Sequence, residues 1–320
     1  MKRCVFRWMS EAVTRGLLSA LVLGVVQVAI VCHADELSFD SADDRITIRI
    51  NDFPVTQFVF VDEQIARPYF ANLRTAQTHR LSRRQPPLEG EEATDHDTMH
   101  PGVWLAFGDV NGHDFWRNEG RIEHVDFSEP PKVDGDQLRF AQRAKLITKE
   151  GEEIGQVINR CVIRPHDDGW LVEWHARFTA GTVPLVFGDQ EEMGFGFRAA
   201  TELTETSGGT IVSSAGKIGA AATWGQAATW CDVSGIVGGE PVGVTLVPSP
   251  DNFRVSWWHN RDYGLLVANP FGRAAMKQGP KSEVVVAAGE SWEIAFAAVV
   301  HQGFSFDPAS FVTTFEFTGE

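Results

Sequence analysis

Between Trp170 and Phe178 the chain reads WLVEWHARF. Trp170, Val172, Trp174, Ala176 and Phe178 take alternate positions, and Leu171, Glu173, His175 and Arg177 stand between them. A period of two sends successive side chains to opposite faces of an extended backbone, so this stretch reads as a strand with one face in a core. The same alternation puts Ile46, Ile48 and Ile50 on one side of RITIRI, and apolar runs at 242–247, 264–269, 283–288 and 292–300 have strand length. Asp134-Gly135, Glu150-Gly151, Asp168-Gly169, Gly208-Gly209 and Gly238-Gly239 separate such runs with residues that accept turn conformations. Helical periodicity is nearly absent. Asp307 as N-cap and Pro308 in the first turn start one helix over 307–315. Many short strands divided by turns, with no repeat and no heptads, specify an all-β fold: a large antiparallel β-sandwich of two stacked sheets in a single domain.

The first residues read as a targeting segment. Lys2, Arg3, Arg7 and Arg15 precede an apolar run from Gly16 to Val31, and Cys32 and Ala34 supply the small residues of a cleavage site. A signal peptide over 1–34 would leave 35–320 as a secreted or periplasmic protein. The run is short for a spanning helix, which takes roughly 20 apolar residues, so an uncleaved anchor is the weaker alternative. No later stretch is long and apolar enough to span a bilayer, so no membrane contact is expected after cleavage. The net charge of −15 becomes more negative once the basic leader leaves. An acidic surface repels phosphates, which argues against nucleic acid and favours a neutral small molecule or glycan as partner. Cys161 and Cys231 remain after cleavage. Export permits a disulfide between them, and two buried thiols fit as well.

Polar chemistry concentrates in a few segments. The stretch 79–101 is long for a loop in a compact fold and carries a basic cluster, a proline pair and an acidic cluster. It runs into DHDTMHPGVWLAFGDVNGHDFW, Asp95 to Trp116. His96 and His100 are four apart, a spacing that could grip a divalent metal ion on a helix, but the residue before a proline avoids helical backbone, which predicts a loop here. Imidazole titrates near neutrality, so His96 and His100 are acid or base candidates. The segment 189–198 offers Glu191 and Glu192 before a glycine-rich strand, and paired acids can divide acid and base roles. The segment WWHNRDYG, 257–264, packs Trp258, His259, Arg261, Asp262 and Tyr263 together. Aromatic faces stack on sugar rings while Arg, Asn and Asp bond hydroxyls, a composition suited to a polyol pocket. Tyr69, in RPYFANLRT with Arg67, is the other tyrosine of the chain.

Taken together, RPYFANLRT, the Asp95–Trp116 stretch, WCDVSG (230–235) and WWHNRDYGLLVANPFG resemble the DUF6807 family, also labelled methane oxygenase PmoA, over nearly all of 35–320. Many members read Asp-His-Pro-His-His-Arg-Gly before the tryptophan. Here Asp95-His96-Asp97-Thr98-Met99-His100-Pro101-Gly102 is one residue longer and lacks the adjacent histidine pair. The resemblance implies an exported bacterial protein associated with carbohydrate breakdown. Methane oxygenation by a membrane complex needs spanning helices, which 35–320 does not offer.

These readings converge on proton transfer at a sugar carbon: epimerisation, elimination or hydrolysis of a carbohydrate or polyol. His96, His100 and His259 would carry protons, or His96 and His100 would ligate a divalent metal. Glu191 or Glu192 would serve as the carboxylate partner. Arg67, Asp95, Arg261 and Asp262 would orient the substrate, with Tyr69, Trp258 and Tyr263 as aromatic contacts. The loop-bearing end of a sandwich like that of the aldose mutarotases is the expected home, by analogy of fold alone. A glycan-binding module without catalysis and a metal-dependent hydrolase or lyase are the competing readings. The convergence of 95–100, 189–192 and 257–263 in one cleft is the expectation that separates a working surface from three unrelated loops.

Overall fold

A computed structural model describes residues 35–318; the leader read at 1–34 lies outside the described residues. Two eight-stranded sheets make the body. In the first, neighbouring strands run in the order Leu37–Ser41, Arg45–Ile50, Phe53–Val59, Tyr69–Ala71, Val103–Phe107, Met193–Arg198, Leu265–Asn269 and Trp257–Trp258. In the second the order is Thr210–Ser213, Cys231–Val237, Glu240–Pro248, Ser291–Gln302, Gly169–Ala180, Glu153–His166, Gln137–Ile147 and Arg121–Asp134. Leu185–Phe187 and Val284–Val286 form a separate pair. Every pairing between these strands is antiparallel.

Alternation puts the aromatic residues of both sheets into one shared core. Phe58 lies 6.0 Å from Trp174 and 4.8 Å from Phe140, Phe107 meets Phe178 edge-on at 5.3 Å, and Phe195 stacks on Phe296 at 5.1 Å. These are the tilted and offset arrangements that aromatic quadrupoles favour. Cys161 and Cys231 are buried free thiols in this body. The helix Pro308–Thr314 starts as expected, with the Asp307 carboxylate accepting from the Ser310 N–H at 3.0 Å. Among the described residues no helix is long and apolar enough to cross a membrane.

The outer face of the first sheet matters for function. Strand pairing aligns Tyr69 with Trp104, Trp104 with Gly196, and Gly196 with Val267, and the His259 N–H donates to the Val267 carbonyl. Side chains in one such row point the same way. A neighbouring row takes Arg198 beside Leu265, and Leu265 bridges to Arg261. A small second core of Val59, Ile65, Tyr69, Trp104, Ala106, Trp116, Leu265 and Val267 covers this face, with Met99 and Tyr263 packed on it. Gly196 lets it form, because the Trp104 ring lies where a Cβ would stand, with its Cζ2 2.4 Å from that position.

Candidate functional site

The turn Asp95–His100 sits over this outer face. Its backbone closes with His100 N–H donating to the His96 carbonyl at 3.0 Å, one helical turn that Pro101 does not let continue. His96 adopts a left-handed φ of 50° to make it. Gly102 follows with φ 61°, and a Cβ there would lie 2.0 Å from the Phe70 carbonyl oxygen. Two buried arginines hold the turn from below. Arg83 donates to the carbonyls of Ala93, Asp95, His96 and His100, and Arg67 donates to those of Met99 and Trp116 and to Asn118 Oδ1. Guanidinium suits this task because its five donors form a rigid fork. The 79–101 segment is therefore a packed, hydrogen-bonded element. Arg67, expected to orient substrate, instead fixes the loop.

From that turn a chain of charged contacts crosses the sheet. Asp95 Oδ2 lies 3.0 Å from His96 Nδ1, and Asp95 Oδ1 accepts from Arg198 Nη2 at 2.9 Å. Arg198 is 2 % exposed, and its guanidinium carbon lies 4.2 Å from the centre of the half-buried Tyr263 ring. On the far side, Glu191 Oε2 accepts from Arg261 Nη2 at 2.9 Å and stands 3.2 Å from His259 Nδ1. The latter is an ion contact whose angle falls short of a hydrogen bond, since His259 Nδ1 has no aligned partner. Arg117 joins Asp114 and Glu192, both at 2.6 Å. Trp224 receives Arg261 at 6.0 Å and Lys277 at 5.3 Å over its ring. His259 and Arg198 stand two strands and two residues apart, which puts their backbones about 12 Å from each other. The segments around 95–100, 191–192 and 259–263 thus share one face, with two His–carboxylate pairs on it.

Not every candidate joins them. Trp258 points inward: it is fully buried in the main core and its indole N–H donates to the Ala228 carbonyl, so it is no stacking wall. Adjacent strand residues face opposite ways, and His259 takes the outer side. Tyr69 is buried and its hydroxyl donates to Asp62, beside a separate cavity of about 500 Å³ that Asp44, Arg45 and Gln57 also line. Asp262 is exposed, and Arg261 beside it pairs with Glu191. Sequence reasoning missed Arg198, Trp104, Trp224 and Arg117. The signal for Trp104 was present in MGFGFR, where glycines alternate with phenylalanines and leave one strand face open to a close neighbour.

Charge decides what these groups can do. Burial, then the charges of Arg198, His96 when protonated, Arg67 and Arg83, push the His100 imidazole down to about 2, so it stays neutral and stacks on Trp104 at 5.3 Å. His100 is thereby a neutral, buried ring and not a proton carrier near neutrality. The three arginines oppose a metal ion at His96 and His100, and among the described residues no three His, Cys, Asp or Glu side chains are arranged to hold one. Burial alone would raise the Asp95 carboxyl, but the bonds from His96 and Arg198 outweigh it and hold it below the usual range. The neighbouring His259, joined by Arg261, does the same for Glu191.

This predicts acid sensitivity. Burial also pushes His166 down to about 4, whereas both histidines titrate near 6.5 once unfolded. With a depressed folded pKa the unfolded chain takes up the proton first. The stability that His100 and His166 contribute is therefore full above pH 6.5 and is lost as pH falls toward their folded values. For His100 the loss at pH 4 is roughly 3 kcal/mol. Urea unfolding between pH 7.5 and 4 should show this slope, and His100→Gln should flatten it; an identical slope in the variant would refute the assignment.

The family model described as "Family of unknown function (DUF6807)" matches residues 45–315. No curated protein matches the sequence. Among solved structures, a galactose mutarotase-like protein from Clostridium acetobutylicum is similar at 10 % identity and a TM-score of 0.44, covering 83 % of this chain and 98 % of its own. A galactose 1-epimerase from Lactobacillus acidophilus is similar at 9 % identity and 0.40, covering 84 % and 100 %. An alpha-galactosidase from Geobacillus stearothermophilus gives 13 % and 0.41, covering 84 % of this chain and 41 % of its own. Likenesses this weak lend the site no residues and the chain no activity.

Proposed function

Because the chain belongs to the DUF6807 family, whose function is unknown, we propose an activity from the site itself: proton transfer on a carbohydrate or similar polyol in an exported, secreted or periplasmic protein. One observation carries the reading. Two His–carboxylate pairs, Asp95–His96 and Glu191–His259, share the outer face of one sheet with Arg198 and the half-buried Tyr263 ring between them. A carboxylate beside an imidazole fixes its orientation and stabilises its protonated form, and two such pairs can remove a proton from one side of a carbon and return it from another. Epimerisation and elimination are the reactions that this pairing serves. His96, about half exposed, is the group open to substrate, and Trp224 and Tyr263 take over the stacking role first given to Trp258.

The purified protein incubated in D₂O with a panel of aldoses, uronates and oligosaccharides should incorporate deuterium at a single sugar carbon, read by NMR. Sugars that bind with no exchange, no cleavage and no new product would replace this reading with a glycan-binding module, which the partly exposed Trp224 and Tyr263 rings would also serve.

A further inference from the structure

We propose that the ligand of this site carries a carboxylate, as a hexuronate or related sugar acid does, and that Arg198 receives it. The proposal rests on the carbohydrate reading above and narrows it. Three guanidinium groups, Arg67, Arg83 and Arg198, are at most 3 % exposed beneath the Asp95–His100 turn. Among the described residues the carboxylate in ion-pair range of any of them is Asp95, 2.9 Å from Arg198 and 3.6 Å from Arg83. Arg67 and Arg83 give their Nη donors to backbone carbonyls and Asn118, which leave the charge, and their Nε atoms have no partner. Asp114 acts on Arg67, and Asp97 and Glu92 on Arg83, from farther off, while Arg198 keeps Asp95 as its ion-pair partner, inside a chain whose net charge is −15. Buried charge without a counter-charge is costly, and a bound anion would offset it.

The donors left over point the same way. Arg198 Nη1 and Trp104 Nε1 are buried, have no partner, and can only donate; His100 Nδ1 is unpartnered beside them. Arg198 is buried, stacked on Tyr263, whose hydroxyl also acts on it, and held by Asp95 through Nη2, and its Nη1 has no aligned partner. A carboxylate oxygen on Nη1 would complete it, and guanidinium geometry favours carboxylate over hydroxyl. Overall acidity argued for a neutral ligand; the unpartnered donors of Arg198 and Trp104 argue for an acceptor-only group.

Binding of glucuronate and galacturonate, compared with glucose, galactose and glucuronamide, tests this by isothermal titration on the full chain at fixed ionic strength. The acids should bind at least about tenfold more tightly than the neutral sugars. Arg198→Met should abolish that preference and Arg198→Lys restore only part of it. Asp95→Asn removes the competing anion and should widen the preference about threefold or more, a gain that misfolding cannot imitate. Equal binding of acids and neutral sugars, or an undiminished preference in a folded Arg198→Met protein, would overturn the carboxylate assignment and leave the carbohydrate reading standing. Binding of no sugar in the panel would overturn both.

Discussion

Gly196→Ala should destabilise the protein by roughly 3 kcal/mol, a large share of the stability of an ordinary domain. The added Cβ would stand 2.4, 2.5 and 3.0 Å from three atoms of the Trp104 indole. That ring has nowhere to go: His100 stacks on it at 5.3 Å and Trp116 meets it edge-on at 5.5 Å. Interiors are packed too densely to absorb such an overlap, so either the ring leaves its place or the strand Met193–Arg198 shifts. Either movement carries Arg198, two residues away, and His100, and with them the Asp95–His100 turn. A smaller ring should relieve the overlap, so Trp104→Phe should cost less in the Gly196→Ala background than alone. Urea unfolding of the four proteins of this cycle gives the coupling. Additive losses would mean that Gly196 is not there to accommodate Trp104.

The same strand shows how much of the fold could be read in advance. Period-two patterning at Arg45–Ile50, Gly169–Ala180 and Ser291–Gln302 was legible because each carries a clean apolar face. The edge strand Arg121–Asp134 was not. It carries Glu123, Glu129, Pro130, Pro131 and Lys132, and its pairing slips at three places. Charges, prolines and bulges keep an edge from pairing with other chains, and they erase the pattern that announces a strand. Pairing order was also hidden, since nothing local tells Val103–Phe107 to lie beside Met193–Arg198.

The site was legible in its residue types and less so in their directions. His96, His259, Glu191, Arg261 and Tyr263 come from segments dense in polar and aromatic residues, which single themselves out. Trp258 looked equivalent to its neighbours, yet in a strand its parity sets it opposite His259, and parity is known only once the partner Leu265–Asn269 is placed. Arg67 and Tyr69 looked like ligand groups because arginine and tyrosine in loops often are; here the backbone carbonyls of the 95–100 turn and Asp62 claim them. Arg198 went unnoticed because a single arginine at the end of an apolar strand carries no local signal.

His96→Asn should lower turnover about 10²- to 10⁴-fold, the usual worth of a positioned general acid or base, while leaving stability nearly unchanged. Asparagine is the right replacement, because His96 sits at φ 50°, a backbone conformation that asparagine accepts and alanine does not favour. The histidine side chain is 45 % exposed and its ring meets Asp95 and, at 5.1 Å, the His100 ring, so only modest packing is lost. Substrate binding should survive, because Arg198 and Tyr263 remain, and the loss should fall on kcat and spare KM. If His96 and His259 act on opposite faces of one carbon, the double variant His96→Asn/His259→Asn should be scarcely worse than the poorer single one, since removing either partner already stops the proton relay. Turnover within about threefold of the parent in His96→Asn would strip His96 of a proton-carrying role. Independent, multiplying losses would mean that the two pairs serve separate steps and not one shared carbon.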